Sequence, residues 1–137
     1  EAATDVVFGY AIGLDMTRRD RQREARERGV AWEVGKSFDH SAPCGPIHPA
    51  SAVGHLSKGA ITLSVNGVVR QRGDLSQLIW NVPEIISSLS RQYELKAGDL
   101  IFTGTPAGVG AVGPGDRLDG AIEGLGNLRI TIGARED

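Results

Sequence analysis

Residues 9–39, GYAIGLDMTRRDRQREARERGVAWEVGKSFD, are the stretch around which the chain is organised. The segment leading into it and opening it, Val6 to Ile12, is apolar at nearly every position. It predicts a buried strand over 5–14, broken by Gly9 and Gly13. Asp15 stands at the strand's end. Thr17 with Asp20 fits a capping box and Gly29 supplies a stop, so a helix is expected over 17–28. Between Thr17 and Arg28 only Ala25 is non-polar, and a helix polar all round faces solvent, a partner or a polar pocket. The chain then comes back to a lone Lys36 between Gly35 and Ser37.

Working outward, Pro43, Pro46 and Pro49 keep residues 30–50 irregular. Asn66-Gly67, the favoured type I′ turn, joins strands expected over 61–65 and 68–72. Asn81 and Glu84 make a second capping box. Val82, Ile85, Ile86 and Leu89 recur at i, i+3, i+4 and i+7 behind it, the pattern of an amphipathic, core-facing helix. Residues 96–99 form a tight turn into a strand over 100–103. Two short strands, 117–122 and 127–132, close the chain around Gly124 and Gly126. The class is α+β and rich in strands, with two short helices.

Composition sets the outer bounds. A chain of 137 residues is one domain able to bury a core. A net charge of −2 argues for neither nucleic acid nor membrane, and no apolar run reaches the ~20 residues that span a bilayer. A single cysteine, Cys44, excludes an internal disulfide and points to a reducing, cytoplasmic setting. The start at Glu1-Ala2-Ala3-Thr4-Asp5, without an initiator methionine, suggests the later part of a longer protein.

Several motifs carry less than they promise. Gly108-Val-Gly110-Ala-Val-Gly113 matches the dinucleotide fingerprint letter for letter, but Pro114-Gly115-Asp116 follows where a helix must open. His40, Cys44 and His48 are spaced by four. A zinc site would need a fourth ligand, and a buried thiol beside loop histidines is the plainer reading. His55, with no carboxylate near it in sequence, reads as surface. The arginines of 18–28 are interleaved with Asp20, Glu24 and Glu27 and lack aromatic neighbours, which reads as a solvated, self-paired face.

Asp15, Gln22 and Lys36 differ in kind. A carboxylate ending a buried strand is costly unless a cation or donors meet it. Gln22 lies two helical turns on, within reach of the same pocket. Lys36 is the only lysine before Lys58, in a region that otherwise chooses arginine. Each also has a bland reading: Asp15 as a strand-end cap, Gln22 as helix surface, Lys36 as solvated loop.

These residues sit in segments that resemble the fumarylacetoacetate hydrolase superfamily. The matching stretches are GYAIGLDMTRRDRQ at 9–22, WEVGKSFDHSAPCGPI at 32–47, VNGVVRQ at 65–71, KAGDLIFTGTPAGVG at 96–110 and GPGDRLDGAIEGLG at 113–126. The LDMTRRD and WEVGKSFD blocks are similar to the acylpyruvate and fumarylpyruvate hydrolase branch. The resemblance implies a β-rich mixed-sheet roll of the superfamily's C-terminal type. It also implies hydrolysis of a C–C bond in a 2,4-diketo acid, through a metal-stabilised pyruvate enolate, in aromatic-acid breakdown. It places Mg²⁺ or Mn²⁺ on Asp15, and the keto-acid substrate on Gln22, Lys36 and Thr105, with Lys36 and Gln22 assisting catalysis.

An E-x-E metal pair and a water-activating His–Glu pair belong upstream in that family, and Glu1 is no substitute for them. The resemblance therefore implies that residues 1–137 are a single partial catalytic domain. Such a chain would pair with its own N-terminal segment, with a second copy as homodimer, or both. Decarboxylation of oxaloacetate is a close alternative. A non-catalytic interaction domain, in which Asp15 and Lys36 merely pair, is the rival of another class.

Overall fold

The computed structural model describes residues 3–134, so Glu1 lies outside the described residues. In chain order the elements are β1 (Gly9–Tyr10), α1 (Arg19–Glu27), α2 (Glu33–Lys36), β2 (His48–Pro49), α3 (Ala50–Val53), β3 (Ala60–Val65) and β4 (Val68–Asp74). A 3-10 turn (Leu75–Gln77), α4 (Val82–Leu89), β5 (Arg117–Ile122) and β6 (Gly126–Thr131) follow. The fold is α+β, as expected, and every ladder among the described residues is antiparallel.

Local codes build the main sheet. Asn66 and Gly67 both adopt positive φ, 52° and 81°, and close the β3–β4 hairpin with the type I′ turn that their sequence demands. The β5–β6 hairpin then docks β5 on β3, which gives the strand order β4-β3-β5-β6. Carboxylates tie the sheet's end. Asp116 accepts from the Gly113 N–H and from the Asn66 amide, and those bonds hold its carboxyl below the ordinary carboxylate range. The Arg129 guanidinium, with Arg117 nearby, does the same for Asp119.

The core forms where the 12–16 segment crosses this sheet. Leu14, Val65 and Leu118 are buried together, with Met16, Leu63, Leu128 and Ile130 packed around them. Gly120 leaves the gap: a Cβ there would touch the Ile12 and Leu14 side chains at 3.5 Å. Extended backbone alternates its side chains, so burying Ile12, Leu14 and Met16 turns Asp15 away from the core.

Three expectations need correction. The strand over 5–14 shrinks to Gly9–Tyr10 with a single bridge at Gly13, and its supposedly buried start is open, with Phe8 75% exposed. Its neighbour is the 41–49 loop, whose prolines lack N–H groups. Only scattered bonds survive, such as Leu14 N–H to Pro43 O and Gly45 N–H to Ile12 O. The strand over 100–103 does not form, because no ladder among the described residues reaches it; Leu100 and Phe102 are exposed. Residues 33–36 make one turn of helix inside the stretch expected to be irregular, ahead of the first proline.

Helix α1 also begins later than expected, at Arg19, and its N-cap Arg18 has no side-chain cap bond. Thr17 and Asp20 form no capping box; Thr17 receives Lys36 instead. The second box is complete: Asn81 accepts from the Glu84 N–H, and Glu84 from the Asn81 N–H, at the start of α4. On α4 only Ile86 is buried, so the helix rests on the fold by part of its apolar face.

Candidate active site

A cleft of about 830 Å³ opens between the 12–16 segment, the start of α1, the end of α2 and the 104–112 loop. Asp15, Gln22, Lys36 and Thr105 all line it. Residues far apart in sequence are thus brought to one hollow, and each arrives by a separate local cause.

Lys36 arrives because α2 packs on α1. Gly35 is buried with its α-carbon face against Gln22, where a Cβ would lie 3.1 Å from the Gln22 backbone nitrogen. The Arg18 N–H donates to Gly35 O at 3.0 Å, which fixes the two helices at that point. From there Lys36 Nζ donates to Asp15 Oδ2 at 2.8 Å and to Thr17 Oγ1 at 2.9 Å. The Asp15 side chain is 49% exposed and Lys36 32%, so Asp15 sits at the cleft wall and not, as the sequence suggested, in a buried strand end.

The neutral polar groups have a common polarity. Gln22 Oε1 accepts from Arg19 Nη1 at 3.2 Å; a guanidinium has no acceptor, so the amide nitrogen of Gln22 is the end left to donate. The Lys36 ammonium has three protons, two of them engaged on Asp15 and Thr17. Arg18, held over the Phe38 ring at 4.4 Å, adds positive charge at the rim. The hollow presents donors and cations, with two carboxylates on its wall, Asp20 and, held by Lys36, Asp15, a setting suited to an anion bearing several oxygens.

Thr105 is set by the other side of the cleft. The hairpin register slips by one residue between Leu63 and Ser64, so that Arg70 is the extra residue of a β-bulge. Gly108 sits on that bulge at φ 102°, where a Cβ would come within 2.0 Å of Arg70 O. Pro106 packs on Gly73 in the same way. The 104–108 loop is therefore pressed onto β4, with Thr105 at its cleft-facing turn.

A hard divalent ion takes oxygen ligands, six for Mg²⁺ and similar numbers for Mn²⁺. Asp15 has the right chemistry but not the right number. Among the described residues no group of three or more His, Cys, Asp or Glu side chains could hold a metal ion. Asp15 could give one donor to such a set and does not complete it. The same holds for His40, Cys44 and His48, and Cys44 is exposed where a buried thiol was expected. No helix opens at Gly108–Gly113, so the dinucleotide fingerprint is a loop resting on a strand. His55 is exposed, as expected, and meets the Tyr10 hydroxyl at 2.8 Å. The self-pairing expected of the arginine run is met in part, by Arg21 and by Arg28 at the C-cap of α1, both on Glu24.

Sequence reasoning missed three polar partners: Thr17 on Lys36, Arg19 on Gln22 and Gln71 on Thr105. The i, i+3 spacing of Arg19 and Gln22 was a readable signal. The other two depend on tertiary approach.

No helix among the described residues is long and apolar enough to cross a membrane. The model of the fumarylacetoacetate hydrolase C-terminal family matches residues 1–133. A fumarylpyruvate hydrolase from Ralstonia sp is 47% identical over 136 residues, 99% of this chain and 70% of its own length. The mitochondrial oxaloacetate tautomerase of Pongo abelii is 42% identical over 131 residues, 96% of this chain and 59% of its own. Among solved structures, the fumarylpyruvate hydrolase of Pseudomonas aeruginosa in complex with Mn²⁺ and pyruvate superposes with a TM-score of 0.94 at 58% identity, over 97% of this chain and 57% of that one. The chain thus spans between somewhat over half and about two thirds of the length of these relatives, and over that span it belongs to the fumarylacetoacetate hydrolase family.

Proposed function

We propose that the whole protein hydrolyses a C–C bond in a 2,4-diketo acid of the acylpyruvate class, such as fumarylpyruvate. The observation that carries this reading is the Lys36 ammonium, 2.8 Å from Asp15, in a cleft whose neutral groups Gln22 and Thr105 also line the wall. A structural ion pair needs no such surroundings. The Mn²⁺ and pyruvate of the Pseudomonas aeruginosa relative support the same class of ligand.

Asp15 would supply one oxygen ligand to a divalent ion, Mg²⁺ or Mn²⁺, with the remaining ligands coming from parts of the whole protein that this chain does not span. Such an ion supplies Lewis-acid polarisation of the substrate's keto oxygen. This chain's residues do the rest of the holding. Lys36 places a cation at the carboxylate end, as a point charge with a free proton. Gln22 donates its amide to the keto oxygen where negative charge develops. Thr105 donates from the opposite wall. Water adds to the distal carbonyl and the bond to the methylene carbon breaks. The electron pair passes to the pyruvate fragment, which takes up a proton and leaves as pyruvate beside the released carboxylic acid.

The family resemblance also has the protein act as a cytoplasmic homodimer in aromatic-acid breakdown. The exposed Phe8, Ile79 and Trp80 suit a chain that buries further surface in its assembly. A second reading, keto–enol tautomerisation of oxaloacetate, is favoured by the Pongo abelii relative and would use the same cleft for proton transfer without attack by water.

Substituting Lys36→Met in the whole enzyme with Mn²⁺ tests the reading. Fumarylpyruvate turnover is expected to fall by about a hundredfold to a thousandfold, with the melting temperature almost unchanged because the pair is partly solvated. Wild-type turnover in that variant would mean that Asp15 and Lys36 merely pair and that the cleft they line is not the catalytic site. Parallel assays of oxaloacetate enol decay separate the two activities.

A further inference from the structure

Gln71 is the one buried polar side chain among the described residues, 7% exposed on the edge strand β4. A buried amide is costly unless its groups are bonded. Its Nε2 lies 2.7 Å from Thr105 Oγ1 and 2.7 Å from the Pro106 carbonyl oxygen. The carbonyl accepts and cannot donate, so the nitrogen must be the end facing the loop, and its two protons go one to each oxygen. Thr105 is therefore an acceptor toward Gln71. A hydroxyl carries a single proton, which Gln71 cannot receive. No acceptor for it stands among the described hydrogen bonds, and Thr105 borders the cleft.

The geometry points to Gln71 as a positioning residue that fixes Thr105 as a hydrogen-bond donor into the cleft. This rests on the keto-acid reading of that cleft and specifies what Thr105 contributes to it: a donor matched to a carboxylate or keto oxygen, and mismatched to a ligand group that itself donates. The opposite wall obeys the same rule, because Arg19 occupies the acceptor end of Gln22. Two walls far apart in sequence are thus polarised in one direction by the partners of Thr105 and Gln22: Gln71 against Thr105 and Arg19 against Gln22. The bulge at Arg70 is what brings Gln71 to this face. Without it the two-residue turn would set Gln71 opposite Thr62, whereas it stands opposite Leu63.

The test is a double-mutant cycle on the whole enzyme with Mn²⁺, read as pyruvate affinity and as KM and kcat for fumarylpyruvate. The variants are Thr105→Val, Thr105→Ser, Gln71→Leu, Gln71→Glu and the Thr105→Val/Gln71→Leu double. Thr105→Val should weaken pyruvate binding about tenfold, and Thr105→Ser should restore it. Gln71→Leu should weaken it about as much alone and by less than twofold in the Thr105→Val background, since residues acting through one contact are not additive. Gln71→Glu, close in shape, puts an acceptor in place of the donor. It should weaken binding at pH 7 and recover part of the loss at pH 5, where a partly protonated carboxyl donates again.

Additive losses in the double variant would overturn the proposal. So would a Gln71→Glu enzyme that binds pyruvate like wild type, or one whose loss is the same at both pH values. If Gln71→Leu fails to fold, the Gln71→Glu arm decides alone. An unchanged affinity in Thr105→Val would instead remove Thr105 from the cleft's function, and the keto-acid reading would then fail at that residue whatever Gln71 does.

Discussion

The sheet and the cleft are built by opposite means. The sheet, residues 60–74 and 117–131, is antiparallel ladder broken only by the bulge at Arg70, and set by turns whose instructions lie within four residues. The cleft walls, residues 12–36 and 104–112, carry every candidate site residue, yet apart from α1 and the four-residue α2 they contain no regular element. They are held by single bonds and close backbone approaches: Leu14 N–H on Pro43 O, Arg18 N–H on Gly35 O, Gly108 on Arg70 O. The lesson is a division of labour. A self-sufficient scaffold fixes positions, and irregular segments, free of ladder constraints, aim side chains at one point.

The sharpest way to break that comparison is at the joint between the two regions. Gly108→Val should destabilise the protein by about 3 kcal/mol or more, because it combines positive φ with a clash against backbone that cannot move aside. Gly110→Ala, which meets nothing within 4 Å, should stay within about 0.5 kcal/mol. Thermal unfolding of the two variants checks the contrast. If both cost the same, the loop is not pinned at Gly108 and the cleft wall on that side is not built as described.

A smaller effect sharpens the comparison from the sheet side. The carboxyls of Asp116 and Asp119 lie below their ordinary value of 3.8, chiefly through the Gly113 N–H and through Arg129 respectively. A folded-state value below the unfolded one gives stability that is present above the unfolded value and lost as pH falls through the folded one. Urea midpoints should therefore hold level from pH 7 to about pH 5 and drop below about pH 4, and Asp119→Asn should flatten that drop. An Asp119→Asn variant with the full wild-type acid sensitivity would mean that these contacts do not stabilise the sheet.

The same division explains what could be read beforehand. Asn66-Gly67, the Asn81–Glu84 box and the glycines around 124–126 each act on their neighbours, and each stands where the residues predict. The strands over 5–14 and 100–103 failed because a strand needs a partner, and an apolar run does not reveal whether one with free N–H groups lies beside it. Asp15 and Lys36 were legible as candidates only through residue type and resemblance; their 2.8 Å contact spans 21 residues and depends on Gly35 resting on α1. Gln71 was hidden for a further reason. One extra residue in β4 moves it to the other face, and the sequence VVRQR carries no mark of that bulge.

The most direct measurement is a crystal structure of the whole protein with Mn²⁺ and pyruvate. The account predicts an Asp15 carboxylate oxygen about 2.2 Å from the ion, and pyruvate held between Lys36, Gln22 and Thr105. An ion and pyruvate bound elsewhere, with the Asp15–Lys36 pair standing undisturbed across an empty cleft, would contradict it.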